Sequence, residues 1–187
     1  MVRTVVLGRF QPFHRGHVGL VEAALKHAGQ DDVMVAIGSS TAETSMRNPW
    51  SADERQAMIQ AWAASACRPE DQARLAFCHV PDINDPPAWV QHATTFHGKG
   101  TLLTSDENTA VLYEASGWDV VRAPLEDRRD REGWRVRETA RMLSTVGDDD
   151  AVRTVLAPSV PESVIGWMLE HDALYRLSLL QQGAVVG

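Results

Sequence analysis

The stretch GRFQPFHRGH, close to the start of the chain, could bind and stabilise negative charge. His14 and His17 offer ring N–H donors, and Arg9 offers a fixed cation. Gly8 and Gly16 have no side chain, so a ligand could come close to the backbone at both positions. These residue types at this spacing indicate a site for phosphate groups.

The elements around this stretch are suited to position such a site. An apolar run at 4–7 predicts a strand before it, and a helix is predicted to begin near Gly16. A helix N-terminus presents unpaired backbone N–H groups and a partial positive charge, which attract anions. Neither a Walker loop nor a GxGxxG pattern occurs in the sequence. A purely structural interpretation would make the two histidines surface residues and Phe10 and Phe13 packing residues. It accounts for each residue singly but not for their combination in one short stretch.

Short apolar runs alternate with segments of helical period along the rest of the chain. Strands are predicted at 4–7, 33–37, 75–80, 101–104 and 118–121. One helix is predicted to begin at 17 and to end at Gly29, and a second is predicted to follow a capping box at 51–54. Further helices are predicted at 87–95, 108–116 and 135–143, and one or two more within 161–180. We interpret the three aspartates at 148–150 as a solvated turn.

Strands separated by helices indicate parallel pairing with helices on both faces of the sheet. We therefore predict a single α/β domain over 1–187, with a Rossmann-like, doubly wound parallel sheet of about five strands. A C-terminal helical segment begins at about 151. Ligands of such sheets bind beyond the carboxyl ends of the strands, where GRFQPFHRGH lies.

Composition narrows the range of partners. The chain has 25 acidic and 18 basic residues and a net charge of -7, which argues against nucleic acid or a membrane surface as a partner. Cys67 and Cys78 fit no metal motif and are more simply two small apolar residues in a reducing cytosol. His92 and His97 lack Cys or carboxylate neighbours at ligand spacing, so no protein-held transition metal is expected. The strand-like start predicts no signal peptide and hence a cytoplasmic protein.

GRFQPFHRGH resembles the HxGH signature of the nucleotidylyltransferase superfamily. It is most similar to the archaeal-type nicotinamide mononucleotide (NMN) adenylyltransferases, which join ATP and NMN to give NAD and pyrophosphate. The resemblance implies a catalytic role for His14, His17 and Arg9. It implies an ATP site formed by Gly8, Arg9, Phe10, His14, Gly16, His17, Ser105, Gly133 and Arg137.

Two further segments carry the resemblance. NPWSADER at 48–55 is similar to the family's N-P-[FW]-[ST]-x-x-E-R, and it makes Arg55 and the preceding Arg47 candidates for the NMN phosphate; surface arginines are the alternative. VPDIND at 80–85, followed by Trp89, is similar to another family segment. We assign Trp89 to stacking on the pyridinium ring, worth about 0.5–2 kcal/mol, and Asn84 to the carboxamide. Core packing is the alternative for Trp89.

The sequence departs from the family at 132–137, where EGWRVR replaces S-G-T-x-I-R. Gly133 and Arg137 are retained, but the two hydroxyl groups are missing. This difference keeps two alternatives open. One is a related nucleotidylyltransferase that uses another phosphomonoester or another nucleotide. The other is a nucleotide-binding sensor with little turnover.

The resemblance also implies how the reaction is assisted. The NMN phosphate would attack the α-phosphorus of ATP, and Mg²⁺ would be bound chiefly by substrate phosphates and water, with no protein metal site. Members of the family are often oligomeric, commonly hexameric, so a homo-oligomer is expected.

Overall fold

The computed structural model describes residues 3–83, 85–123 and 133–182. These residues form two compact units. The first contains the described residues of Met1–Arg9, His17–Ala42 and Arg68–Glu126, and the second those of Phe10–Gly16, Glu43–Cys67 and Asp127–Gly187. Whether the chain is a single domain stays a prediction.

The first unit contains a parallel sheet. Its strands are β1 (Arg3–Gly8), β2 (Val33–Ile37), β3 (Leu75–His79), β4 (Gly100–Thr104) and β5 (Asp119–Arg122). Their order is β3-β2-β1-β4-β5, and each neighbouring pair is parallel. Val5 of β1 is in register with Met34 of β2 and Leu102 of β4. The predicted α/β, Rossmann-like fold is confirmed.

Helices follow the strands and also form most of the second unit. In the described residues they are α1 (Arg15–Ala28), α2 (Ala52–Ala66), α3 (Pro69–Ala73), α4 (Trp89–His97), α5 (Glu107–Ala115), α6 (Gly133–Leu143), α7 (Asp149–Leu156), α8 (Glu162–Glu170) and α9 (Tyr175–Gln182). None of the helices in the described part of the chain is long and apolar enough to cross a membrane.

One cluster in the core of the first unit lies between the sheet and helices α4 and α5. Val5, Met34 and Leu102 of the sheet pack in one buried cluster with Val90 of α4 and Tyr113 of α5. Buried apolar runs in β1, β2 and β4 therefore hold the strand ends in fixed positions. The polar residues that follow those ends are fixed in position as a result.

The second unit is built around helix α2, which packs on α8. The predicted capping box is present: the Glu54 amide donates to the Ser51 hydroxyl, and the Ser51 amide donates to the Glu54 carboxylate. The Phe13 ring lies 5.2 Å from the Trp62 ring of α2, measured between centroids. This aromatic contact attaches the segment Phe10–Gly16 to α2.

Helix α3 was not predicted, and the predicted C-terminal helical segment begins slightly before 151, with α7. The aspartates at 148–150 begin α7 instead of forming only a turn, because the Asp148 carboxylate accepts the N–H groups of Asp150 and Ala151. Acidic residues in a first helical turn are stabilising, so the same charges that suggested a solvated turn favour a helix start. Helix α3 has no buried residue and therefore no apolar period to detect.

Candidate active site

A cavity of about 420 Å³ lies at the carboxyl ends of the strands in the first unit. Its wall is formed by Leu7, Gly8, Arg9, His17, Leu20, Gly38, Ser39, Asp82, Trp89, Thr104, Ser105, Asp106 and Thr109. The strand order places this wall beside β1, between β2 and β4. This is the position at which open parallel sheets bind ligands.

Five of the predicted site residues meet at this cavity: Gly8, Arg9, His17, Trp89 and Ser105. Gly8 ends β1, Arg9 follows it and is exposed, and His17 is half-buried in the first turns of α1. A cation and an imidazole on one wall give the cavity the chemistry to hold a phosphate group.

Trp89 is the first residue of α4, and its side chain is half-buried. It packs against the core of the first unit and also lines the cavity, so the structural and ligand-binding interpretations both apply to it. Its ring centroid lies 5.8 Å from that of His92, whose Nε2 lies 2.9 Å from the Pro81 carbonyl oxygen. These contacts fix an aromatic face at the cavity.

Several cavity residues were not predicted as site residues, notably Thr104, Asp106, Thr109 and Asp82. The Asp106 carboxylate accepts the Thr109 N–H at 2.7 Å and caps α5. The Asp106 N–H in turn donates to the Thr104 hydroxyl at 3.1 Å. These residues could have been identified from the sequence because they lie at or shortly after the carboxyl ends of the predicted strands β3 and β4.

In the second unit, the loop that precedes α1 has a constrained backbone at Phe10. Phe10 has a φ of 52°, in the left-handed region that aromatic residues seldom adopt. Its buried ring lies 6.1 Å from that of Phe13, measured between centroids. A backbone of this kind costs roughly 1–3 kcal/mol and is typical of functional loops. Phe10, predicted at the ATP site, thus has its side chain in the packing of the loop.

His14 is buried, and its tautomer follows from its contact with the backbone. The Gly16 N–H donates to His14 Nδ1 at 3.1 Å, so in the neutral ring the proton is on Nε2. A Cβ built on Gly133 would lie 3.8 Å from that Nε2. The N–H donor of His14 and the start of α6 are therefore close neighbours.

The predicted arginines differ in their surroundings. Arg137 donates from Nη1 to the Gln11 carbonyl oxygen at 2.7 Å. Arg55 is 1% exposed, and its Nε donates to the Ser51 carbonyl oxygen at 3.0 Å. Arg47 is exposed. Asn84, predicted to bind the carboxamide, lies outside the described residues. The ligand roles of all four stay predictions.

The described residues contain no group of three or more His, Cys, Asp or Glu side chains arranged to hold a metal ion. Cys67 and Cys78 are not joined in a disulfide, and both are half-buried. Burial raises the pKa of the Cys78 thiol to about 11, so this thiol is protonated near neutral pH and is a poor nucleophile.

Comparison with known proteins gives consistent matches. A cytidylyltransferase-like family model matches residues 5–90. The nicotinamide-nucleotide adenylyltransferase of Ignicoccus hospitalis is 32% identical over 124 residues, which are 66% of this chain and 70% of that protein. The chain belongs to the nicotinamide-nucleotide adenylyltransferase family. The family member from Haloarcula marismortui is 30% identical over 94% of this chain and 85% of its own length.

A solved structure has the same fold. It is a bifunctional NMN adenylyltransferase/ADP ribose pyrophosphatase from Francisella tularensis, in complex with AMP and a manganese ion, and it superimposes with a TM-score of 0.70 at 16% identity. The match covers 99% of this adenylyltransferase-family chain but 54% of the Francisella chain. The resemblance stated from the sequence is thereby confirmed for both family and fold.

Proposed function

We propose that the protein transfers the adenylyl group of ATP to NMN, giving NAD and pyrophosphate. The observation that carries this proposal is the wall of the strand-end cavity, where His17 and Arg9 stand together in a chain of the nicotinamide-nucleotide adenylyltransferase family. The AMP bound to the structurally similar Francisella protein supports a nucleotide as one ligand.

The reaction needs little covalent help from the protein. A phosphate oxygen of NMN forms a bond to the α-phosphorus of ATP, the bond from that phosphorus to the bridging oxygen breaks, and pyrophosphate leaves with the electron pair. The attacking oxygen is already ionised near neutral pH, since the second pKa of a phosphate monoester is about 6. The protein therefore has to align two anions and stabilise the charge that grows between them.

We assign His17 and Arg9 to this stabilisation. His17 donates its ring N–H to the α-phosphate region, and Arg9 neutralises phosphate charge. Ser105, on the same cavity wall, contacts the adenosine part of ATP. For the second unit we retain the roles that the sequence predicts: His14 as a further N–H donor, and Gly133 and Arg137 as ATP-binding residues.

NMN adds a flat, cationic pyridinium ring to the list of groups to be bound. Trp89 offers an aromatic face at the cavity, which suits this ring by stacking and by cation–π attraction. Asn84 is assigned to the carboxamide, and Arg47 and Arg55 to the NMN phosphate. The near-complete burial of Arg55 makes Arg47 the more accessible of these two cations.

Magnesium enters this proposal with the substrate. Two carboxylates of the described residues line the cavity, and Asp106 is engaged in capping α5, which fits an ion bound mainly by phosphate oxygens and water. When bound, Mg²⁺ neutralises part of the charge on the phosphates of ATP. His17 and Arg9 then stabilise the phosphate charge that Mg²⁺ leaves unneutralised.

Assembly and location belong to the proposal as well. We expect a cytoplasmic homo-oligomer, with a hexamer as the state that the family resemblance favours, acting on small molecules and not on nucleic acid or membranes. Light scattering coupled to size-exclusion chromatography measures the state: a mass near 20.6 kDa would show a monomer and contradict this expectation.

The test is a substrate matrix with the purified protein and Mg²⁺. ATP, CTP and GTP are each combined with NMN or nicotinic acid mononucleotide, and dinucleotide and pyrophosphate are quantified by chromatography. ATP with NMN should give the highest kcat/KM. A higher value for another pair would favour the related nucleotidylyltransferase, and tight NAD binding without pyrophosphate release would favour the sensor.

A further inference from the structure

We propose that Gln11 is a positioning residue: its side chain holds the loop that carries His14, through a two-way clamp on the backbone of Trp50. The inference rests on the proposed function for its kinetic consequences. Its structural basis lies entirely within the second unit.

The clamp uses both ends of the Gln11 amide. Nε2 donates to the Trp50 carbonyl oxygen at 2.7 Å, and Oε1 accepts the Trp50 N–H at 3.2 Å. The side chain thus pairs with one residue as a neighbouring β-strand would. Because donor and acceptor are both engaged, the amide has one orientation, and the backbone at Gln11 is fixed relative to Trp50.

Trp50 is a rigid anchor for this clamp. Its side chain is 1% exposed, and its indole N–H donates to the Ala173 carbonyl oxygen at 3.1 Å. Ser51, the next residue, caps α2. The loop is therefore tied to the start of a helix whose own position is set by packing and capping.

The backbone of Gln11 is in turn a reference point for other predicted site residues. Its carbonyl oxygen accepts the Arg137 Nη1–H at 2.7 Å. A Cβ on Gly133 would lie 3.5 Å from this oxygen and 3.8 Å from His14 Nε2. A shift of the Gln11 peptide would therefore displace His14 and Arg137 relative to each other.

The chemistry of the position supports a specific role for the amide. Gln11 is 3% exposed, and burying an amide is unfavourable unless its polar groups are paired. An apolar side chain would fill the same space without that requirement. Unlike an apolar side chain, the amide gives the loop a defined orientation. Such a constraint matters here because Phe10, the residue before Gln11, has a φ of 52°.

The principal test uses Gln11→Met, which preserves side-chain length and packing but removes both hydrogen bonds. The control is Gln60→Leu, on the exposed face of α2. Displacing a catalytic group by about 1 Å can cost about 100-fold, so we expect kcat to fall roughly 10- to 100-fold in Gln11→Met. KM for NMN should change less than about twofold, because NMN is assigned to other residues. The control should match the wild type.

A second variant, Gln11→Glu, gives a pH signature. A protonated carboxylic acid donates and accepts as the amide does, whereas a carboxylate can only accept. Burial favours the protonated form. The ratio of kcat in Gln11→Glu to kcat in the wild type should therefore rise as the pH is lowered from about 8 to about 6. A ratio that is flat with pH and stays well below one would contradict the clamp, because the protonated acid would then fail to replace the amide, and this test applies even if Gln11→Met fails to fold.

A third measurement does not depend on turnover. The ¹⁵N resonances of the His14 ring report whether Nδ1 accepts the Gly16 N–H, as it does in the structure. We expect this signature in the wild type and in Gln60→Leu, and its loss in Gln11→Met. An inactive wild type would reject the proposed function while this readout still tests the clamp. Unchanged His14 resonances in a folded Gln11→Met protein would overturn the inference.

Discussion

His17→Ala removes one ring N–H donor from the wall of the strand-end cavity. His17 is half-buried and lies in the first turns of α1, so its loss leaves no large hole in the core. Single substitutions commonly lower the free energy of unfolding by about 1 kcal/mol, and we expect a change of no more than that size here. The consequence should appear in the reaction, because the proposed role of His17 is to stabilise charge that develops during adenylyl transfer.

The size of the effect follows from the number of donors involved. Loss of one preorganised donor to a developing negative charge costs about 2.7–4 kcal/mol, which is about 100- to 1000-fold in kcat. Arg9 remains on the same cavity wall, so the reaction is slowed and not abolished. The dissociation constant for ATP should change much less, since the donor acts mainly in the transition state.

The assay is steady-state kinetics of NAD formation together with calorimetric titration of ATP. The control is His27→Ala, an exposed histidine in the last turn of the same helix, which should behave as the wild type. Equal losses in kcat and in ATP affinity would refute the reasoning, because they would make His17 a ground-state ligand. A kcat within tenfold of the wild type would refute it as well.

Three further predictions concern binding and stability. Trp89→Ala should raise KM for NMN about 2- to 30-fold and leave KM for ATP within twofold, since 0.5–2 kcal/mol of ring attraction is lost; an unchanged KM for NMN in steady-state kinetics would remove Trp89 from the site. Trp50→Phe leaves the Ala173 carbonyl without the indole donor and should lower the free energy of unfolding by about 1–3 kcal/mol in urea titrations, whereas Trp134→Phe, at an exposed position, should change it by less than about 0.5 kcal/mol. Burial lowers the pKa of His97 below its ordinary value of 6.5, so the unfolded chain takes up a proton that the folded chain does not, and stability falls as the pH drops below about 6.5. His97→Gln should reduce this pH dependence between about pH 5 and 7, and an equal slope in both proteins would contradict the assignment.

The sheet could be predicted because β1 to β4 each contain an apolar run, and the half-exposed β5 still holds two adjacent valines. All five residues of β2 are buried, and the sequence marks its limits at 33–37 without ambiguity. Helix α3 could not be predicted in this way, since it buries no residue. The start of helix α7 was placed slightly too late, at about 151, because the carboxylate of Asp148 can serve either a turn or a helix cap. The buried residues Val152 and Leu156 of that helix show which of the two it serves.

The site residues that lie at strand ends could be predicted from the sequence. Hydrogen bonds between residues far apart in the sequence could not. Arg9, His17 and Ser105 follow or flank strand ends and do line one cavity. The clamp of Gln11 joins residues 39 positions apart, and no pattern in the sequence specifies that an amide will pair with the backbone of Trp50. Such contacts arise from the folded backbone and become visible only in the structure.

The central claim is that the strand-end cavity serves adenylyl transfer to NMN. The most direct measurement is the time course of NAD and pyrophosphate formation from ATP and NMN by the purified protein, with His17→Ala in parallel. We predict equimolar NAD and pyrophosphate at a rate that the variant lowers by about 100-fold or more. Absence of NAD formation by the wild type, or equal rates in both proteins, would contradict the claim.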